Sequence, residues 1–253
     1  MTLESDPKFY DSIGHGYQTH RCPDPRIAAQ IHNALGDAKT VCNVGAGTGS
    51  YEPVDLEVTA VEPSQLMIDQ RRSSFPVIQA QAENLPFADK SFDAAMAVLT
   101  VHHWSDPRQG LAEIRRISRR QIVLAYDPKL VNSFWLARDY LPDITRIEAS
   151  RAIPLDDIVT ALGAEAVEPV LIPSDCTDGF MAAYWRRPQE YLNPGVRNAI
   201  SSFSLLPDST VSQAMEKLSQ DIRSGTWDQR YSHLLKKDKL DAGYRLIVSE
   251  LKD

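Results

Sequence analysis

The sequence predicts an α/β protein: a Rossmann-like, doubly wound, mostly parallel sheet with a C-terminal antiparallel hairpin and a helical lid. Three observations predict it. Short apolar runs alternate with helical segments through the first half of the chain. The first run breaks into Gly45, Ala46, Gly47, Thr48 and Gly49, a loop with almost no side-chain bulk. The second run ends on a carboxylate, Glu62. Strand and helix signals in strict alternation are the pattern of parallel βαβ units.

In chain order, residues 40–44 (TVCNV), 57–61 (EVTAV), 77–80 (VIQA), 93–99 (DAAMAVL) and 121–125 (QIVLA) are apolar runs of strand length. Ile27, Ile31 and Leu35 recur every four residues and predict a helix laid on the sheet. Pro107 opens a second helix through Leu111, Ile114 and Ile117. Only Ser50 to Leu56 separate the glycine loop from the second strand, and Pro53 lies among them. A first crossover helix is therefore expected to be short or absent, leaving the floor of the crevice open or closed by another segment. Residues 128–152, with Leu130, Phe134, Trp135, Tyr140 and Leu141, read as a helical lid, and residues 155–162 as a helix ending at Gly163. Apolar runs at 166–172 and 180–185, separated by polar turn residues, predict the closing hairpin. From Pro188 the pattern reads as helical. The expected organisation is a domain over residues 1–187 with the lid at about 128–152, and a helical C-terminal extension, 188–253, packed on it.

The formal charge of −7 argues against a surface built for nucleic acid or anionic lipid. The polar, acidic N-terminus lacks a signal-peptide pattern, and no later stretch has the length of a membrane span, so a cytoplasmic protein is expected. Cys22, Cys42 and Cys176 show neither CxxC spacing nor a neighbouring His cluster, so no disulfide framework and no metal site is expected.

Glycines at a strand end permit positive φ and close approach of a ligand, and doubly wound sheets bind ligands at the carboxyl ends of their strands. Glu62, at the end of the next strand, can accept hydrogen bonds from both hydroxyls of a ribose. Nicotinamide-binding domains share this logic but carry GxGxxG, whereas here Ser50 stands where the third glycine would be.

The strings VCNVGAGTG, VTAVEPS with Met67, QAENLPFADKSFD and AVLTVHHW together resemble the class I methyltransferases of the ubiquinone/menaquinone and trans-aconitate methyltransferase type. The resemblance covers roughly residues 15–127 and implies S-adenosylmethionine as cofactor. It implies that Gly45, Gly47 and Gly49 line the methionine part, that Glu62 holds the ribose, and that Pro63 and Met67 pack against adenine. Gln81 and Ala82 would meet the adenine edge, and the backbone at Leu99 and Thr100 would face the amino-acid end. Tyr17 and Arg21, in YxxxR spacing, would close over the cofactor, with the guanidinium suited to its carboxylate. Asn43 departs from the pattern, since an acid is common there.

Methyl transfer chiefly requires alignment of an acceptor behind the methyl carbon. Where the acceptor must lose a proton, His103 or His102 is the expected general base; strand alternation would point the two to opposite sides. Packing is the alternative role for both. Trp104, Trp135, Tyr140, Tyr184 and Trp185 are expected either to line an aromatic acceptor pocket or to fill the core. The Arg186–Arg187 pair and the run Lys236–Lys239 read as solvated surface. The acceptor is expected to be a small molecule. The fourth strand lacks the proline-aromatic end of adenine amino methylation, and the chain lacks a Pro-Cys pair for attack on pyrimidines. The other reading is a cofactor-binding sensor or partner protein without turnover, which a flat exposed apolar face over the site would favour and aromatic residues lining an enclosed second pocket would oppose.

Overall fold

The computed structural model describes residues 17–131 and 133–251, with residues 17, 18 and 131 as backbone alone. The five apolar runs form parallel strands β1 (Thr40–Val44), β2 (Glu57–Val61), β3 (Val77–Ile78), β4 (Phe92–Val98) and β5 (Ser118–Tyr126). Both faces of this sheet are covered. Val41, Ala94, Met96, Ile122 and Leu124 enter one core cluster, while Cys42, Val44, Ala95, Ala97, Val123 and Ala125 enter the other. Two-sided burial is why these strands read as continuous apolar runs rather than alternating ones.

The helices are α1 (Tyr17–His20), α2 (Pro25–Ala34), α3 (Gln65–Asp69), α4 (Pro107–Ile117), α5 (Pro128–Val131), α6 (Trp135–Asp139), α7 (Pro142–Arg151) and α8 (Leu155–Leu162). Local chemistry sets their ends. Asp24 accepts from the Arg26 amide ahead of Pro25, Asp106 accepts from the Gln109 amide ahead of Pro107, and Gly163 ends α8 in the left-handed region at φ 62°. Ile27 and Ile31 of α2 pack on one face of the sheet; Leu111, Ile114 and Ile117 of α4, with Ile158 and Leu162 of α8, pack on the other. No helix stands between β1 and β2, as Pro53 predicts.

The sheet is completed by β6 (Ala166–Pro169) and β9 (Tyr244–Glu250), in the order β3-β2-β1-β4-β5-β9-β6, with β9 antiparallel to both of its neighbours. A two-stranded ribbon pairs β7 (Ile172–Pro173) with β8 (Lys239–Leu240). The closing antiparallel pair therefore exists, but its second strand is not 180–185. That run forms consecutive turns in which Phe180 to Trp185 are all buried, so it has no solvent face to produce a strand alternation. The last strand comes instead from the supposed helical extension. Residues 188–235 are helical, including α9 (Pro194–Asn198), α10 (Ser201–Ser204), α11 (Asp208–Arg223), α12 (Thr226–Arg230) and α13 (Ser232–Leu235), but 244–250 is inserted between β5 and β6.

The lid is pinned by aromatic packing. The Trp135 ring lies 5.2 Å from Trp227, 5.6 Å from Tyr191 and Tyr231, and 5.8 Å from Tyr140, centroid to centroid. Each such pair contributes roughly 0.5–1.5 kcal/mol beyond its buried area. Trp135 donates its indole N–H to the Trp185 carbonyl at 2.9 Å. Trp135, Tyr140, Tyr184 and Trp185 are thus core, and of the five aromatics considered for an acceptor pocket only Trp104 reaches the cavity described next. Among the described residues no helix is long and apolar enough to cross a membrane.

Candidate functional site

The order of the sheet reverses at β1, between β2 and β4, and the crevice beyond the carboxyl ends of these strands is where such folds bind ligands. A cavity of about 1020 Å³, solvent at its mouth included, opens there. Gly45, Gly47, Glu62, Pro63, Met67, Gln81, Ala82, Leu99, Thr100, Arg21, His103 and Trp104 all line it. The residues expected at a cofactor site are therefore brought together, with two exceptions. The side chain of Tyr17 is outside the described residues, and Gly49 is not in the wall.

Gly45 has φ 69°, and a Cβ there would lie 2.1 Å from the Thr100 hydroxyl oxygen, so only glycine lets the loop close against the end of β4. At Gly47 a Cβ would meet only Met67, at 3.6 Å, and would fill space belonging to the cavity. Leu99 is held at φ 52° where β4 ends, its amide donating to the Leu124 carbonyl. A branched side chain in that region costs about 1–3 kcal/mol, and such strain collects at ligand sites.

Glu62 is 5% exposed, not the solvent-facing rim acid its strand-end position suggests. Its Oε2 accepts from the Gly47 amide at 2.7 Å and its Oε1 from the Ser64 amide at 2.9 Å. These bonds tie the loop after β1 to the end of β2 and hold the carboxylate at the cavity wall. A carboxylate has about four acceptor sites, so backbone anchoring and ribose binding are compatible at one residue. With apolar Pro63, Met67 and Ala82 beside an amide at Gln81, and a guanidinium at Arg21, the wall fits a nucleoside carrying an amino-acid tail.

The floor left by the missing helix is closed by a buried ion pair. Arg71 Nη2 donates to both carboxylate oxygens of Glu52, at 2.8 and 2.9 Å, with side chains 4% and 3% exposed. Asn43 Nδ2 donates to Glu52 Oε1 at 3.0 Å, and Arg71 also reaches the Gly47 carbonyl. Gly49 serves this floor, since its Cα faces Glu52 and Arg71.

A second cavity of about 560 Å³ adjoins the first, and Arg21, Leu99 and His103 line both. Phe180, Met181, Ile200 and Tyr244 form its apolar wall. Its polar wall centres on Glu148, which accepts from the hydroxyls of Tyr126 and Ser202 and, at 3.2 Å, from Arg151 Nη1. Arg151 Nη2 in turn reaches His103 Nδ1 at 3.3 Å. Arg21 Nε donates to Asp178 at 2.6 Å, and the Tyr51 hydroxyl donates to the same carboxylate at 2.8 Å. His102 and His103 do not point to opposite sides. The chain leaves β4 before them and turns through a 3-10 helix, Val101–His103, which sets their rings 3.9 Å apart. Loss of solvation, with the neighbouring Arg151 and Arg21 guanidiniums and, for His102, His103 as well, pushes both imidazoles well below the ordinary histidine range.

Known proteins share this architecture. A family model described as a methyltransferase domain matches residues 42–125, from β1 to β5. The chain is 35% identical to the crystal structure of a putative methyltransferase from an antibiotic biosynthesis pathway of Anabaena variabilis, over 92% of this chain and 99% of that one, with a TM-score of 0.85. The chain belongs to the class I S-adenosylmethionine-dependent methyltransferases. Two curated relatives match less of this methyltransferase. A tRNA (carboxymethyluridine(34)-5-O)-methyltransferase of Xenopus tropicalis is 30% identical over 47% of this chain and 20% of its own length. A demethylmenaquinone methyltransferase of Renibacterium salmoninarum is 35% identical over 31% and 36%. The chain thus spans well under half the length of either relative.

Several site residues of the methyltransferase carry no local signature. Asp178 is 157 positions from its partner Arg21, and Glu52 is 19 positions from its partner Arg71. Glu148 and Arg151 stand at i, i+3 spacing, which marks an ion pair on α7 but not what it faces.

Proposed function

We propose that the first cavity holds S-adenosylmethionine and the second a small-molecule acceptor, with the methyl group passing at the neck formed by Arg21, Leu99 and His103. The observation that carries this reading is that those three residues border both cavities. In this arrangement Glu62 accepts the ribose hydroxyls, Pro63 and Met67 pack on adenine, and Gln81 and Ala82 border its edge. Gly45, Gly47, Leu99 and Thr100 surround the methionine part, with Arg21 and Tyr17 at its carboxylate. Gly49 acts from behind, through the floor. When bound, S-adenosylmethionine supplies a methyl group whose bond to sulfur breaks as an acceptor lone pair closes on the methyl carbon, sulfur keeping the bonding pair. The chain's task is to bind, orient and exclude water, and His103, with His102 beside it, meets the acceptor.

A second cavity with one apolar wall favours a small acceptor, as in the ubiquinone/menaquinone and trans-aconitate methyltransferase type, over the tRNA acceptor named for one relative. The formal charge of −7 favours it too. Calorimetry with S-adenosylmethionine, S-adenosylhomocysteine and NAD tests the first cavity: the first two should bind and NAD should not. A labelled-methyl screen of a cell extract, divided into small-molecule and RNA fractions, tests the second. Label confined to RNA would overturn the small-molecule reading.

A further inference from the structure

We infer that the second cavity takes its acceptor already ionised, as the oxyanion of an acidic hydroxyl on a small apolar body, and that His103 meets this oxygen as a hydrogen-bond donor rather than as a base. This rests on the proposal that the first cavity holds the methyl donor. A guanidinium has donors and no acceptor. The contact between Arg151 Nη2 and His103 Nδ1 therefore requires that Nδ1 be the bare nitrogen. The neutral ring then carries its proton on Nε2, which can only donate. Arg151 is in this sense a positioning residue: Glu148 holds it and it sets the tautomer of His103.

The other groups lining the cavity are poor proton acceptors. Both oxygens of Glu148 already accept, from Tyr126 on one side and from Ser202 and Arg151 on the other. Burial pushes the phenols of Tyr126 and Tyr244 up, so both stay protonated. Asp178, behind Arg21, accepts from Arg21 and Tyr51. The His102 ring lies 3.9 Å from that of His103 and 5.1 Å from Tyr126, where lost solvation and the nearby guanidiniums disfavour a cation on it. The same guanidiniums favour an anion at the neck, although Asp178 and Glu148 offset part of their field. The acceptor's proton stays in water before binding, so nothing in the cavity has to receive it. The apolar wall of Phe180, Met181, Ile200 and Tyr244 suits the body that carries the oxygen.

The probe is 4-nitrophenol, whose ionised form absorbs visible light. It is added to the full chain saturated with S-adenosylhomocysteine and titrated across the pH range in which the free probe ionises. The ionisation midpoint of the bound probe should fall by about one pH unit, a roughly tenfold preference for the anion. His103→Gln, which keeps an N–H donor, should retain most of the shift, and His103→Phe should lose the larger part of it. A bound probe that stays neutral at or above its free midpoint, or no binding to the loaded protein, overturns the inference. Calorimetry of S-adenosylhomocysteine alone keeps the two failures apart: if the product does not bind, the first-cavity reading falls instead.

Discussion

Glu62 and Glu148 are both buried carboxylates on the same cleft, but they are held in different ways. Glu62, after β2, is held by backbone amides of Gly47 and Ser64, at most fifteen residues away. Glu148, in α7, is held by side chains from β5, α7 and α10, the last 54 residues on. The strand-end half of the cleft is thus made by backbone geometry, which local sequence encodes. The lid half is made by side chains that only the finished fold brings together. Ligand affinity should be the sensitive quantity on the first side, and folding on the second.

The largest effect is expected from Glu148→Ala. It removes the carboxylate that accepts from Arg151, whose side chain is 4% exposed, and from the Tyr126 and Ser202 hydroxyls. Breaking one partner of a buried pair costs about 3–5 kcal/mol, readable as a lower urea midpoint. A loss below about 1 kcal/mol, the scale of a surface pair, would mean that Glu148 does not organise the lid. Glu62→Ala should act on affinity first. A charged hydrogen bond to the ribose is worth about 1.5–3 kcal/mol, so S-adenosylhomocysteine should bind at least roughly 10- to 150-fold more weakly by calorimetry, the loss of one such bond. Its loss of stability should be smaller than that of Glu148→Ala, because the cavity lets water reach the orphaned amides. The reverse order would break the comparison.

Legibility followed the same division. The glycine loop, Glu62, Met67 and the helix start at Pro107 each carry their signal within a few residues, and the structure brings them to one cavity or one cap. Burial of the wall is less legible than its membership, since nothing beside Glu62 in the sequence marks the two amides that cover it. On the lid side, residues 180–185 matched a strand in hydrophobicity while forming buried turns. Residues 244–250 (YRLIVSE) follow a long helical pattern and share its hydrophobicity, although Gly243 and the pair Ile247–Val248 mark a strand start and a β-branched run. Membership of the central sheet is not a local property. Arg21 meeting Asp178 is its counterpart at the level of side chains.

Asp24 ties α2 to the turn at Thr177, because its carboxylate caps α2 and also accepts from the Thr177 amide at 3.2 Å. Burial raises its carboxyl, but bonds from Arg26 and Thr177 outweigh that and hold it at about 2, against an ordinary 3.8. A lowered carboxyl stabilises the fold above its unfolded value and loses that contribution as pH falls through the folded one. Asp24→Asn should therefore cost about 1–2 kcal/mol at neutral pH, discounted because Arg26 is half exposed, and almost nothing near pH ~2. Denaturant midpoints of both proteins across acid pH would show the gap closing. A gap independent of pH would assign the effect to packing. The smallest effect is expected at exposed Lys236, where substitution by Ala should change stability by less than about 0.5 kcal/mol.

The proposed transfer requires the sulfur of the methyl donor to lie at the neck shared by the two cavities. A crystal structure with S-adenosylhomocysteine measures this directly. The ribose hydroxyls are expected on Glu62, adenine between Pro63 and Met67, and the sulfur turned toward Leu99 and His103 at the opening of the second cavity. Product bound with its sulfur away from His103, or with the ribose off Glu62, would contradict it.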